Sequence, residues 1–331
     1  MFRRALFPLA LIVFGSLAVV GVDAYRHLYR PLPMASATQY RLLPGTALRT
    51  VASQLQAEGI LVRPLYFVLY ARLKGVGGRL QAGEYRLETG ISAVELLDKL
   101  ERGEVVLHSL TIVEGWNFKQ LRTALQSHNA LVQKLSSGLN DSDVMSALGH
   151  PGQHPEGRFY PDTYSFPRGT SDVDFLKRAY GAMERRLEQE WRQRAPGLPL
   201  NSSYEALILA SIIEKETAVP EERQLIAAVF VNRLKKRMRL QTDPTVIYGL
   251  GDRYDGDIKF RDLREDTPYN TYTRRGLPPT PIAMPGGASI HAALHPADSD
   301  ALYFVSKGDG SHQFSVTLEQ HEAAVDAYQR R

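Results

Sequence analysis

The chain has no cysteine. Thiol catalysis, disulfides and thiolate-bound zinc are therefore excluded, and the absence suits an oxidising compartment without requiring one. No G-x-S-x-G elbow occurs, which removes the usual hydrolase serine. Neither common form of glycine-rich phosphate loop is present. An excess of one charge is missing too: 40 Lys and Arg stand against 36 Asp and Glu, a net charge of +4. Because the basic residues are scattered among the acids, nucleic acid is not an expected partner. His291 and His295 stand four apart, as zinc ligands on a helix would, but the intervening Ala-Ala-Leu supplies no base. Neither a metal nor a cofactor is expected. Acid–base chemistry by carboxylates is what remains.

With 331 residues the chain can form two domains and a sizeable core. Arg3 and Arg4 precede an uncharged run from Ala5 to Val22, closed by Asp23. Those 18 residues span roughly 27 Å as a helix. An uncleaved anchor is expected, because a signal-peptide core is shorter, roughly 7–15 residues. The loose cleavage site Val22-Asp23-Ala24 is the competing reading. Arg26 and Arg30 put positive charge on the far side as well, so charge alone sets no orientation. Nothing later is long and apolar enough to return, which leaves everything after Tyr25 on one side. Residues 1–24 are thus assigned to an N-terminal end and transmembrane helix, and 25–37, stiffened by Pro31 and Pro33, to a tether.

A repeated unit follows. Tyr40-Arg41-Leu42, Gly45 and a helix bearing Leu48, Val51, Ala52 and Leu55 recur 45 residues on as Tyr85-Arg86-Leu87, Gly90 and a helix bearing Val94, Leu96, Leu97 and Leu100. Each copy reads strand, glycine turn, amphipathic helix. Ser92 and Glu95 form a capping box. Another apolar helix starts at Pro64, and a looser third copy runs from Leu110 through Gly115 to Phe118, Leu121 and Leu125. Such a small α+β unit binds an extended polymer or serves as a spacer.

Residues 127–153 read as a flexible or helical connector. Glu156 to Phe166 then gathers the rings of Phe159, Tyr160, Tyr164 and Phe166 around Asp162, either a sugar-stacking surface or a loop pinned to the core by its rings. A basic helix over Asp172–Arg194 carries charge on a solvated face, a pattern that serves solubility. The stretch that organises the rest is Ser203–Thr245. It opens with a helix apolar all round, Ala206 to Ile213, which belongs inside a domain. That helix ends in Glu214-Lys215-Glu216-Thr217. Behind Glu216, on its own stripe, lie Ile213, Ile212 and Leu209. A carboxyl at the end of such a stripe resists ionisation, as a general acid requires; alternatively, both glutamates simply reach water. A second helix is predicted over Glu221–Lys236 with Leu225, Ala228, Val229 and Leu234 inward. Pro244 is expected to force Asp243 out of helical geometry, presenting Gln241, Thr242 and Asp243 as a polar loop. Loop residues Tyr269 to Pro279 and a hairpin turned at Gly308-Asp309-Gly310 complete the chain.

Several of these segments together resemble the YceG-like family, the MltG endolytic murein transglycosylases. They are Val113-Glu114-Gly115, Glu156-Gly157 with Tyr160-Pro161-Asp162-Thr163, Ser211 to Val219, Asn232-Arg233-Leu234, Met238 to Gly249, Tyr269 to Tyr272 and Gly276 to Pro279. The resemblance implies an α+β protein: an inner-membrane helix, a LysM-like α+β subdomain over residues 38–108, and a larger α+β catalytic domain over 109–331 with a buried central helix. It implies a bacterial inner-membrane protein with a periplasmic catalytic part. It raises polymer binding above spacer for 38–108, with peptidoglycan strands as the polymer and the synthases, penicillin-binding proteins, as partners. It also implies endolytic cleavage between N-acetylmuramic acid and N-acetylglucosamine in nascent strands, leaving 1,6-anhydro ends and limiting strand length. The family's catalytic glutamate, directly before threonine, falls on Glu216, acting as acid and then base. Gln241, Thr242, Asp243, Tyr248, Asn270, Tyr272, Tyr160 and Asp162 are expected to hold the sugar. A hydrolytic muramidase using Asp243 or Asp162, and a non-catalytic cell-wall scaffold, are the alternatives.

Overall fold

The repeat seen in the sequence becomes a paired strand. In the computed structural model, which describes residues 2–329 and the side chains of residues 11 and 14–329, the chain divides into two units, residues 1–108 with 165–169 and residues 109–164 with 170–331. The first contains α1 (Phe2–Tyr29), β1 (Thr38–Leu42), α2 (Leu48–Ala57), α3 (Pro64–Leu73), β2 (Gly83–Leu87) and α4 (Ala93–Arg102). β1 and β2 are antiparallel, and Tyr40 faces Tyr85 across them. Both tyrosines are buried, among Val51, Leu55, Phe67, Leu96, Leu97 and Leu100. Alternation on the strands and three-to-four spacing on the helices direct those residues to one core. The capping box forms as predicted: Ser92 N donates to Glu95 Oε2 at 2.8 Å and Glu95 N to Ser92 Oγ at 3.3 Å. A charged surface depression of about 420 Å³, lined by Glu88, Glu95, Lys99, Arg102 and Glu104, lies beside α4.

The predicted anchor, Ala5 to Val22, lies within α1, and most side chains of its first half fall outside the described ones. Among the described residues no helix is long and apolar enough to cross a membrane. The tether also starts later than predicted, because α1 continues to Tyr29. Its last turns are held from the side: Tyr66 Oη donates to Asp23 at 2.8 Å, and Tyr29 meets Tyr70 edge-on at 6.5 Å.

The second unit begins within β3 (Leu107–Thr111), holds the first two residues of β4 (Thr163–Pro167), whose remainder falls in the first unit, and carries α5 (Phe118–Ser127), α6 (Asp141–Leu148), α7 (Asp172–Arg192), α8 (Ser203–Glu216), α9 (Arg223–Lys235), α10 (Asp243–Leu250), α11 (Phe260–Arg264), α12 (Gly287–Leu294), β5 (Tyr303–Ser306), β6 (His312–Ser315) and α13 (Leu318–Tyr328). β3 pairs with β4, and β5 with β6. The fold is therefore mixed α+β, with small sheets and a helical core. α8 is that core: every residue from Ala206 to Ile213 is buried, and α7, α9, α10 and α12 pack around it. Even its one interior hydroxyl is satisfied, Ser211 Oγ donating to Ile208 O at 2.7 Å and accepting from Ile282 N at 3.0 Å.

Two predictions change here. α9 buries Ile226 through Val231 rather than one stripe, while Leu225 and Leu234 are only partly covered. It lies between α8, α12 and β5, so core reaches it from several sides. Asp243 is helical after all, with Thr242 as the extended N-cap residue. Proline is tolerated in a first turn, where its missing N–H is not needed and its φ suits the helix.

Candidate active site

Glu216 ends α8, and Thr217 turns the chain into extended geometry. Burial pushes the Glu216 carboxyl up to about 7 from its ordinary 4.5. The residue as a whole is half-buried, so the end of α8 is not sealed off. Oε1 accepts a short hydrogen bond from Thr242 Oγ1. That donor favours the ionised form, as do the charges of His312 on β6 and Arg233 on α9, whereas Asp243 opposes it.

Thr242, 2% exposed, is itself fixed by a knot of threonines. Its N–H donates to Thr271 Oγ1 at 3.1 Å, and its carbonyl accepts from Thr245 Oγ1 at 2.7 Å. The hydroxyls of Thr245 and Thr271 are 2.9 Å apart. Gln241, before it, adopts φ 52°, the left-handed region that non-glycine residues enter at a cost. Its N–H donates to Thr271 O at 3.2 Å, and its side-chain oxygen accepts from Arg233 at 3.3 Å. Arg233 reinforces the same bend by donating to Leu240 O at 2.8 Å and to Leu302 O at 2.6 Å. The strained bend aims Thr242 at the acid.

Asp243 is exposed, and Tyr272 Oη donates to its Oδ1 at 2.6 Å. Burial and this carboxylate push the Tyr272 phenol upward, so it remains a donor at neutral pH. Asn270 does not face solvent. It is 1% exposed, and its amide donates to Asp262 O, Leu263 O and Glu265 O while Oδ1 accepts from Tyr272 N at 2.8 Å. It shapes the loop that presents Tyr272. A depression of about 260 Å³ opens beside this loop, bordered by Thr271, Arg274, Arg275, Leu277 and Pro279.

The other predicted residues make their hydrogen bonds elsewhere. Tyr248 Oη donates to Glu156 Oε2 at 2.9 Å, and its ring meets Tyr269 edge-on at 4.8 Å. Tyr160 stands where a Cβ on Gly287 would come within 2.7 Å of its hydroxyl, so α12 closes against it. Asp162 is exposed in a separate depression beside Lys177, Arg178 and Arg185. Of the two readings of the 156–166 aromatics, the pinned loop is what forms: Phe159 stacks on Phe118 at 5.4 Å, and Tyr164 meets Phe175 edge-on at 5.3 Å.

Glu214 has different work from Glu216. Its Oε2 accepts from Gly286 N at 3.0 Å and Ser289 Oγ at 2.7 Å, which caps α12. The most buried acid in this region, Glu156, enters the sequence reading only through the Glu156-Gly157 motif and not as a site residue. It is 3% exposed, accepts from the first-turn N–H of Phe118 at 3.0 Å, and is pushed up to about 7 by burial. The only hint of it in sequence is an acid directly before Gly157, whose φ of 77° and approach to Pro281 leave no room for a side chain.

Comparison with known proteins identifies the family. The YceG-like family matches residues 41–327. A Bacillus subtilis (strain 168) protein called endolytic murein transglycosylase is 32% identical over 300 residues, covering 86% of this chain and 82% of that protein. A Streptococcus pneumoniae serotype 2 protein of the same name is 29% identical over 321 residues, covering 85% of this chain and 56% of its own. The crystal structure of a putative YceG-like protein from Listeria monocytogenes superposes with a TM-score of 0.56 at 30% identity, over 88% of this chain and 99% of that one.

Proposed function

Because the chain belongs to the YceG-like family, we propose that it is an endolytic murein lytic transglycosylase whose one essential acid is Glu216. The observation that carries the assignment is a carboxyl held protonated near neutral pH at an accessible helix end, with one oxygen fixed by Thr242. In the first step Glu216 gives its proton to the oxygen between N-acetylmuramic acid and N-acetylglucosamine. The C1–O bond breaks, and positive charge develops on the muramyl ring. In the second step the same carboxylate, now ionised, takes the proton of the muramyl 6-hydroxyl as that oxygen bonds to C1. The 1,6-anhydro end forms, the proton returns to Glu216, and no water is consumed. A single carboxyl pushed to about 7 suits both directions of transfer. Asp243 supplies negative charge beside the cationic ring, and Tyr272 holds it in place.

The cell wall is the site of action, outside the cytoplasm. The apolar run in α1 is assigned to an inner-membrane anchor, the LysM-like part over 38–108 to holding strands, and peptidoglycan synthases to its partners. An exposed Asp243 beside the acid also suits a muramidase that activates water, and the products separate the two. End-group analysis of digested glycan strands should give anhydro ends from wild type and none from Glu216→Gln. Reducing ends from wild type overturn the non-hydrolytic mechanism. Full activity in Glu216→Gln overturns the assignment of the acid.

A further inference from the structure

At the C-terminal ends of α7 and α12, three side chains with metal-binding chemistry converge. Glu190 is 6% exposed, a burial that carboxylates tolerate only when paired. Its Oε1 lies 2.9 Å from an Arg186 nitrogen one turn earlier on α7. Its Oε2 faces the other helix, 2.9 Å from His291 Nδ1 and 3.9 Å from His295 Nδ1. The two imidazoles stack with centroids 4.3 Å apart. Ligand atoms of all three residues fall within 4.8 Å of one another.

We propose that Glu190, His291 and His295 bind a late first-row divalent cation, with zinc the best fit, and that the ion clamps α7 to α12. Tetrahedral zinc, with bonds of about 2.0–2.1 Å, spaces its ligand atoms roughly 3.3 Å apart. The separations of 2.9 and 3.9 Å bracket that spacing, so small side-chain rotations close the site. His295 Nε2 is 2.8 Å from Gln193 O and its Nδ1 is 3.3 Å from His291 O, and both partners can only accept; the shorter contact keeps a proton on Nε2 when an ion takes Nδ1 in place of the longer one. A carbonyl in that outer position is the usual orienting partner of a metal-bound histidine. Arg186 engages Oε1 and leaves Oε2 for the ion. Two nitrogens and one oxygen suit zinc and its neighbours, not calcium or magnesium. The His291 side chain, 48% exposed, provides the entry path and leaves the fourth position to water. Since α12 packs on both α7 and α8, the ion would brace the helix that Glu214 caps at its other end.

The test uses the full chain stripped by a chelator and titrated with zinc chloride in a calorimeter, with thermal unfolding followed in parallel. Uptake of one equivalent, a Tm that rises with zinc concentration, and tetrahedral d–d absorption when Co²⁺ replaces zinc are expected. His291→Ala, at an exposed position, and His295→Ala should each weaken uptake more than tenfold. Glu190→Gln should do the same, and if that variant fails to fold, the two histidine variants decide. Absence of saturable uptake overturns the proposal. So does uptake of equal affinity in both histidine variants, which would assign the ion to other side chains. None of these readouts depends on cleavage of glycan.

Discussion

The hydroxyl of Thr242 and the carboxyl of Glu216, 26 residues apart in sequence, share a short hydrogen bond in which the threonine donates. The donor stabilises the ionised carboxylate and so works against the burial that keeps the acid protonated. A hydrogen bond to a charged group contributes about 1.5–3 kcal/mol, roughly one pH unit or more. Thr242→Val, of similar shape but without a donor, should move the alkaline limb of kcat/KM upward by about one unit and lower turnover roughly tenfold. Thr242→Ser should restore both. A pH–rate profile of the three proteins checks this.

Two charges bias the same acid in opposite directions. Asp243 raises it, and His312 lowers it when protonated. Asp243→Asn should therefore bring the alkaline limb down, whereas His312→Gln should move it up. His312 is held by Glu222, which accepts from its N–H at 2.8 Å and lies 2.6 Å from Nδ1. The two profiles, measured under one buffer and salt condition, should flank that of wild type. A shift of both in one direction counts against the geometry.

Glu216→Gln keeps the size of the side chain and an acceptor for Thr242 but cannot give a proton to a glycosidic oxygen. Turnover should fall by about 10²–10⁴-fold, with circular dichroism and strand binding unchanged. A loss of less than tenfold would mean that another group donates the proton.

Glu156 supplies a stability test that is separate from turnover. Its folded-state value of about 7 lies above the ordinary 4.5. Between those values the folded chain holds a proton that the unfolded chain has released, so stability falls as pH rises from about 4.5 to 7 and levels off above. The full difference corresponds to about 3 kcal/mol. Glu156→Gln should make this part of the profile shallower, leaving a smaller loss between pH 5 and pH 8 than wild type in urea titrations, and Glu216, also pushed up to about 7, accounts for slope that remains.

Local pattern and distant partnership were not equally legible in the sequence. The repeat, the capping box at Ser92, the terminal hairpin and the all-apolar α8 follow from spacing, because each is formed by neighbours along the chain. The direction of the Glu216 shift was legible because the helix it ends, α8, is apolar on every face and therefore buried. The threonine knot was not, because Thr242, Thr245 and Thr271 acquire meaning only when the 242 and 271 segments meet. Glu190 read as part of a solvated basic helix, since α12, which covers it, arrives about 100 residues later. Asn270 looked like a sugar ligand, yet each donated hydrogen bond goes to a backbone carbonyl of the 262–265 segment.

α8 is enclosed on every side by other helices, and this limits how the enzyme can respond to an arriving strand. Sliding or rolling such a rod would break packing along Ala206–Ile213, so Glu216 is mounted on a stiff post. Adjustment to the sugar falls to rotation of the acid's own bonds and of the side chains that the pinned 241–243 and 270–272 loops present. Substitutions that loosen those loops should alter which strands are accepted while leaving the post upright.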